Sequence, residues 1–413
     1  MENPLWRPCT QMKTALPPLM IHSANGALLF TTDGKTLIDA NSSWWVTLHG
    51  HAQPEIAAQI AAQAHLLEQV IFADCVHQPG LELARQLTTL LPGNMRKVFY
   101  SDNGATAVEV GLKIALQYHY NTQGDAAPKK VVCIKGGYHG DTFGAMAVSR
   151  KKHFNRPFWS HLFEVIQIDL ANGVNELTSA LEQGDVACFI YEPLVLGGGG
   201  MRIYAPEQLN PLLKLCHAAG VLTIADEVLT GFGRMGPYFA SEIVSAKPDI
   251  ICLSKGLTGG FLPLGATACS AKVYAPFHAD SREKAFLHSH SFCGNPIACA
   301  SALASLELLL KPLCTVQRAM IEQAHRAFAA SWKNHPKLTR CESLGTLLAL
   351  EYACENQGYF HPLKERLFRF GLERGILFRP LGNVLYVLPP YFITQTQLRT
   401  IYSAMEETLE WKI

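Results

Sequence analysis

An α/β architecture is predicted: a large doubly wound, mainly parallel-sheet domain joined to a smaller α+β domain. Short apolar, β-branched runs occur at Lys97–Tyr100, Val131–Ile134, Val186–Tyr191, Val221–Ala225 and Ile250–Leu253, most of them followed by a polar or glycine-containing turn. Continuous apolar runs of this length are strands buried on both faces. Helical segments lie between them, Ala105–His119 after a glycine and Pro206–Ala219, which opens on proline and stops at Gly220. Such alternation gives a parallel sheet whose ligands gather at the carboxyl ends of the strands. No Pro/Gly/Ser-rich linker or fixed-period repeat divides the chain, so its domains interlock.

Taken in order, residues 1–47 carry Asn25-Gly26 and Asp33-Gly34, two hairpin-turn signals between short apolar runs. This segment is expected to join the small domain. Residues 48–312 are expected to form the large domain. Residues 313–413 mix helix with the strand-like Val384–Leu388 and are expected to form the small one.

Composition narrows the function. The chain has 413 residues, 48% hydrophobic and 17% charged, which excludes a disordered scaffold. Thirty-five Lys and Arg against 34 Asp and Glu leave a net charge of +1, too little for a nucleic-acid partner. The longest run free of Asp, Glu, Lys and Arg, Ala285–Leu306, is broken by His288, His290, Asn295 and Pro296, so no membrane span is expected. The opening MENPLWRPCTQMK lacks the apolar core of a signal peptide, and a cytoplasmic location is the expectation. The 12 cysteines include no C-x-x-C, and Cys133, Cys188 and Cys252 sit in apolar segments, as structural thiols do. His49 and His51 flank Gly50 without a carboxylate or cysteine cluster and read as structural; no metal site is expected.

The chemistry is signalled by two strand ends. Ile224-Ala225-Asp226-Glu227 ends an apolar strand in a carboxylate, and Asp249–Ser254 ends in Lys255 followed by Gly256. Alone, each reads as a capping Asp or a surface Lys; together they call for a ligand. An amine at the mouth of such a sheet can condense with an aldehyde cofactor, and a buried carboxylate can keep a pyridine nitrogen protonated, the pair that pyridoxal phosphate needs. Ser101-Asp102-Asn103-Gly104-Ala105-Thr106 lies between a strand and a helix, where free amides face a phosphate. Lys135-Gly136-Gly137-Tyr138-His139-Gly140-Asp141 follows another strand, so Tyr138 is placed to stack on a planar ring. Gly231-Phe232-Gly233-Arg234-Met235-Gly236 formally spells the nicotinamide-binding pattern, but its glycines start five residues beyond Asp226 with no helix opening on them.

Asp226-Glu227 followed by Thr230-Gly231-Phe232-Gly233-Arg234, then Ser254-Lys255-Gly256-Leu257-Thr258-Gly259-Gly260, resembles the signature of the class III, fold type I aminotransferases, and the resemblance runs along nearly the whole chain. It implies that Lys255 is the Schiff-base lysine and general acid/base, that Asp226 partners the pyridine nitrogen, and that Gly104 and Ala105 hold the phosphate. Within that class, Ser42-Ser43-Trp44-Trp45, Gly137–Met146 and Arg379-Pro380 with Tyr386 and Pro389-Pro390-Tyr391 resemble the 7,8-diaminopelargonate synthase branch, which aminates 8-amino-7-oxononanoate with S-adenosylmethionine in biotin synthesis. The resemblance assigns Trp44, Tyr138 and Arg379 to the substrate, with Trp45 and Tyr386 nearby. Indole walls suit five chain methylenes worth about 4 kcal/mol of burial, and Arg379 suits a carboxylate taken through two parallel hydrogen bonds.

Three departures stand out. Cys9 occupies the place of the family's usual substrate-site tyrosine, and Ala105 that of a serine. His288-Ser289-His290-Ser291-Phe292-Cys293-Gly294-Asn295-Pro296 replaces a segment usually reading His-Gly-Pro-Thr-Phe before Gly-Asn-Pro. There the resemblance implies that His290 and Ser291 reach the cofactor and Ser289 the substrate, in the active site of the other subunit of a homodimer. Another class III enzyme, acting on ω-amines or as an aminomutase, is the alternative within the same fold.

Overall fold

In the computed structural model, which describes residues 4–149, 155–355 and 357–412, seven strands form the central sheet. Their spatial order is Met95–Ser101, Gly265–Ser270, Ile250–Leu253, Leu222–Asp226, Val186–Tyr191, Lys130–Ile134 and Val165–Ile168. Gly265–Ser270 runs antiparallel to both neighbours, and the pairs from Ile250–Leu253 outward to Val165–Ile168 are parallel. All five strands expected from the sequence are present. The two it did not signal are the edge strand Val165–Ile168 and Gly265–Ser270, whose Gly-Ala-Thr-Ala-Cys-Ser is poor in β-formers. Its small side chains instead let the helix Gly104–Gln123 lie close, and Thr267 Oγ1 donates to the Ala107 carbonyl at 2.8 Å.

The strand side chains alternate between two cores. Val131, Cys133, Cys188, Ile190, Ile224 and Ile250 pack under the helix with Ala107, Val108, Leu112 and Ala115. Val132, Ile134, Phe189, Tyr191, Ala225 and Ile251 face the opposite layer. Burial pushes the thiols up, to about 12 for Cys133.

The two hairpin signals hold: Ile21–Asn25, Leu28–Thr31 and Thr36–Asp39 form an antiparallel meander, to which Ile376–Leu377 adds a parallel fourth strand. A second sheet joins Leu338–Leu344, Leu347–Tyr352 and Val384–Val387. The chain's beginning is thus tied to its last hundred residues. The apolar helix Pro296–Leu310 is largely buried, and among the described residues no single helix is long and apolar enough to cross a membrane.

His49 and His325 are buried: His49 Nε2 lies 3.2 Å from Ser305 Oγ, and His325 bridges Tyr402 Oη (2.6 Å) and the Thr346 carbonyl (3.1 Å). Burial pushes both imidazoles down to about 3. The unfolded chain therefore binds these protons near pH 6.5 while the folded chain does not, so their contribution is present above that pH and lost on acidification. At about pH 5.5 each is expected to cost on the order of 1 kcal/mol. Thermal melts are expected to show a lower Tm at about pH 5.5 than at about pH 7.5, with the gap narrowed in His49→Gln/His325→Gln; equal Tm values in the unmodified protein contradict this.

Candidate active site

The parallel register sets the site. Asp226 lies opposite Cys252, three residues before Lys255, and Ala225 lies opposite Tyr191, directly before Glu192. Three ionisable side chains therefore meet at neighbouring strand ends. Asp226 is 4% exposed; His139 Nδ1–H donates to its Oδ2 at 2.7 Å, and the Val228 amide donates to its Oδ1 at 3.1 Å. Burial alone would pull His139 down, but the hydrogen bond and charge of Asp226, with Glu192 behind, outweigh it and the imidazole is raised. Glu192 is buried and accepts the Tyr138 amide at 2.8 Å and the Gly197 amide at 2.9 Å; burial pushes its carboxyl up to about 7.

Lys255 is half-buried, with Nζ 4.7 Å over the Trp45 ring. Burial lowers its amine below the ordinary lysine range, against the opposing pull of Asp226 and Glu192. Its φ of 36° is a strained backbone for a residue with a Cβ; Ser254 Oγ anchors the turn by donating to the Leu264 carbonyl at 2.8 Å.

Close backbone approaches lock the loops together. A Cβ at Gly104 would lie 2.6 Å from Val228 Cγ1, one at Gly140 would lie 2.5 Å from Ala105 Cβ, and one at Gly198 would lie 2.4 Å from Tyr138 Cβ. Gly104, Ala105, Tyr138, Asp226 and Lys255 thus belong to one site. At the helix start, Asn103 Oδ1 accepts the Thr106 amide and the Asn103 carbonyl accepts that of Ala107, while the Gly104 and Ala105 amides have no acceptor among the described residues.

The opposite wall is built on a left-handed turn. Ser42, Ser43, Trp44 and Trp45 have φ of 49°, 47°, 73° and 75°, a conformation that costs about 1–2 kcal/mol per residue. Buried Asp39 holds it, its Oδ2 accepting the Ser43 amide at 2.7 Å and Oγ at 3.0 Å. Asn41 Nδ2 donates to the Tyr386 carbonyl at 3.0 Å, Ser42 Oγ to the Leu388 carbonyl at 2.7 Å, and buried Arg234 donates to the Trp45 carbonyl at 3.2 Å. Trp45 Nε1–H donates to Tyr386 Oη at 2.9 Å. Tyr386 is fully buried, so it acts on the pocket through Trp45.

Trp44 is 40% exposed, and the Arg379 guanidinium lies 3.7 Å over its ring. The Arg379 amide donates to Asn41 Oδ1 at 2.8 Å, but its side chain pairs with no carboxylate among the described residues, and its Nε is buried without an acceptor. Cys9 is exposed, with φ 52°, within electrostatic reach of Tyr138.

Ser289, His290 and Ser291 stand apart. They line a separate cavity of about 800 Å³ with Phe72, Val98 and Tyr100. His290 Nε2 lies 2.7 Å from Asp102 Oδ1, and Gln69 Nε2 donates to the Ser291 carbonyl at 2.6 Å. No described contact joins these three residues to Tyr138, Asp226 or Lys255 of the same chain.

Sequence reasoning missed Glu192, His139, Asp39 and the anchoring role of Arg234. Glu192 had the same signal as Asp226, a carboxylate ending an apolar strand.

These residues fit pyridoxal phosphate. Two free amides at the start of a 20-residue helix suit a phosphate, the buried Asp226 suits a ring cation, Tyr138 offers an aromatic face, and Lys255 offers an amine with little penalty for neutrality.

The known proteins agree. The profile of the class-III aminotransferases matches residues 10–409. Adenosylmethionine-8-amino-7-oxononanoate aminotransferase of Synechococcus elongatus is 46% identical over 98% of both chains, and that of Helicobacter pylori is 34% identical over 98% of this chain and 96% of its own. The crystal structure of the same-named enzyme from Methanocaldococcus jannaschii superposes with a TM-score of 0.92 at 34% identity, covering 98% of this chain and 97% of that one. A PLP-bound amine transaminase from an uncultivated Pseudomonas species gives 0.90 at 27% identity, with 98% of both chains covered. The chain is a pyridoxal-phosphate-dependent enzyme and belongs to the class-III aminotransferase family.

Proposed function

We propose that this protein transfers the amino group of S-adenosylmethionine to C7 of 8-amino-7-oxononanoate, giving 7,8-diaminononanoate for biotin synthesis, as a cytoplasmic homodimer with residues 48–312 as its cofactor-binding domain. The observation that carries the reading is Arg379, a guanidinium with no carboxylate partner among the described residues, stacked on Trp44 along the wall that Trp45 continues towards Lys255. It offers a carboxylate clamp at one end of an aromatic wall and an amine at the other. That pattern matches an acceptor with a distal carboxylate, an apolar chain and a ketone. A second copy is supported by the Ser289–Ser291 loop, which meets its own chain at Asp102 rather than at Tyr138, Asp226 or Lys255, beside the exposed Leu287 and Phe292.

When bound, the cofactor supplies an electron-withdrawing ring and carries the amino group from donor to acceptor. The chain's residues do the rest. Lys255 Nζ takes the proton from the amine-bearing carbon of the donor, and in the second half-reaction delivers a proton to C7 of the acceptor. Asp226, fixed by His139, places a negative charge where the ring nitrogen must stay cationic. Glu192 and Gly198 hold Tyr138 from two sides. Trp44 and Trp45 cover the methylene chain and exclude water, and a sulfonium donor gains from the same aromatic faces.

The test is a donor and acceptor survey of the purified enzyme. S-adenosylmethionine is expected to support amination of 8-amino-7-oxononanoate, with lysine and simple ω-amines far poorer; preference for ω-amines over S-adenosylmethionine overturns the assignment. Arg379→Ala is expected to raise the acceptor KM by about 10- to 100-fold, the worth of a charged, paired hydrogen bond, with kcat much less affected. An unchanged acceptor KM removes Arg379 from the clamp.

A further inference from the structure

We propose that Lys364 is a second cation at the carboxylate end of the acceptor pocket, acting with Arg379 to select acceptors that carry a negative charge. This rests on the reading in which Arg379 takes that carboxylate, and extends it to a residue outside the motifs that support it.

Lys364 lies at the start of the helix Leu363–Glu373, which packs on the strand Ile376–Leu377; Arg379 stands two residues beyond that strand. The chain before the helix folds onto the turn after Arg379: a Cβ at Gly382 would lie 3.0 Å from Tyr359 Cα, and Gly358 N–H donates to Asn383 Oδ1 at 3.1 Å. Tyr359 is thereby held at the Arg379 corner. The Lys364 ammonium lies 4.4 Å over its ring and is half-buried. The other basic residues of this helix are satisfied: Arg369 pairs with Glu365, and Arg366 stacks on Trp411 at 4.1 Å. Neither Lys364 nor Arg379 pairs with a carboxylate among the described residues.

Two half-buried like charges, neither in an ion pair among the described residues, oppose each other, with Asp141 acting on the Tyr359 ring beside them. Burial first, and then the charge of Arg379, hold the Lys364 amine below its usual range. An entering carboxylate turns this repulsion into attraction to both groups; a neutral acceptor does not. Cys9 lies within electrostatic reach of both Tyr359 and Lys364.

The experiment compares Lys364→Met, Lys364→Arg and Arg379→Ala in the holoenzyme. Acceptor KM and kcat are measured with 8-amino-7-oxononanoate, and its Kd by titration calorimetry at low and high salt. Lys364→Met is expected to raise KM and Kd about fivefold, to flatten the salt dependence of Kd and to leave kcat within about twofold, as for a partly screened charge. Lys364→Arg keeps wild-type values, and the acceptor's methyl ester binds wild type and Lys364→Met alike. Unchanged Kd and salt slope in Lys364→Met, with weakened binding in Arg379→Ala, overturns the role of Lys364 alone. Unchanged binding in both overturns the carboxylate clamp itself. Equal weakening in Lys364→Met and Lys364→Arg assigns the residue to packing and also overturns the proposal.

Discussion

Lys255→Ala is expected to abolish amino transfer, lowering turnover by at least about 10⁴-fold, because the covalent anchor and the acid/base group are lost together. The effect should be purely chemical. Burial already disfavours the ammonium form of Lys255, so removing the amine relieves an unfavourable charge. The backbone strain at φ 36° remains in alanine as in lysine. The cofactor-free variant is therefore expected to melt at or above the cofactor-free wild type. Borohydride treatment followed by intact-protein mass measurement should fix the cofactor to the wild type and not to the variant. Retained amination at ordinary rates, or covalent fixation in the variant, contradicts the assignment.

Asp226→Asn is the second large effect. The amide oxygen can still accept from the Val228 N–H, so the strand end should keep its shape. What disappears is the charge beside His139 and the cofactor ring. Removing one partner from a buried ion pair costs about 3–5 kcal/mol, which, if lost from transition-state stabilisation, corresponds to a fall in kcat on the order of 10²- to 10⁴-fold. Saturating kinetics with both substrates measure it directly, and a kcat within about twofold of wild type rules out an electrostatic role for Asp226.

Local chemistry decided what was legible in the sequence. The strands ending at Tyr191, Asp226 and Leu253 were readable because both of their faces are buried, which leaves an unbroken apolar run. The acid and the amine stood out because each ended such a run. Gly265–Ser270 was illegible because its strand state is decided by the helix lying on it and by pairing on both sides, not by its own residues. His139 was read only as part of the loop presenting Tyr138, since nothing local reveals a bond to a carboxylate 87 positions away. Likewise, Ser42–Trp45 suggested an aromatic wall but gave no sign of a left-handed turn, because Tyr386, Leu388 and Arg234, to which it is tied, come from distant parts of the chain.

That turn also dictates an order of assembly. Its bonds from Asn41 to Tyr386 and from Ser42 to Leu388 span 345 and 346 positions. On the ribosome, the sheet bearing Asp226 and Lys255 emerges long before the strand that carries Tyr386, so the nascent chain has a cofactor cradle before it has an acceptor wall. Closing so long a loop is entropically costly and slow, so this turn is expected to be among the last parts of the fold to form.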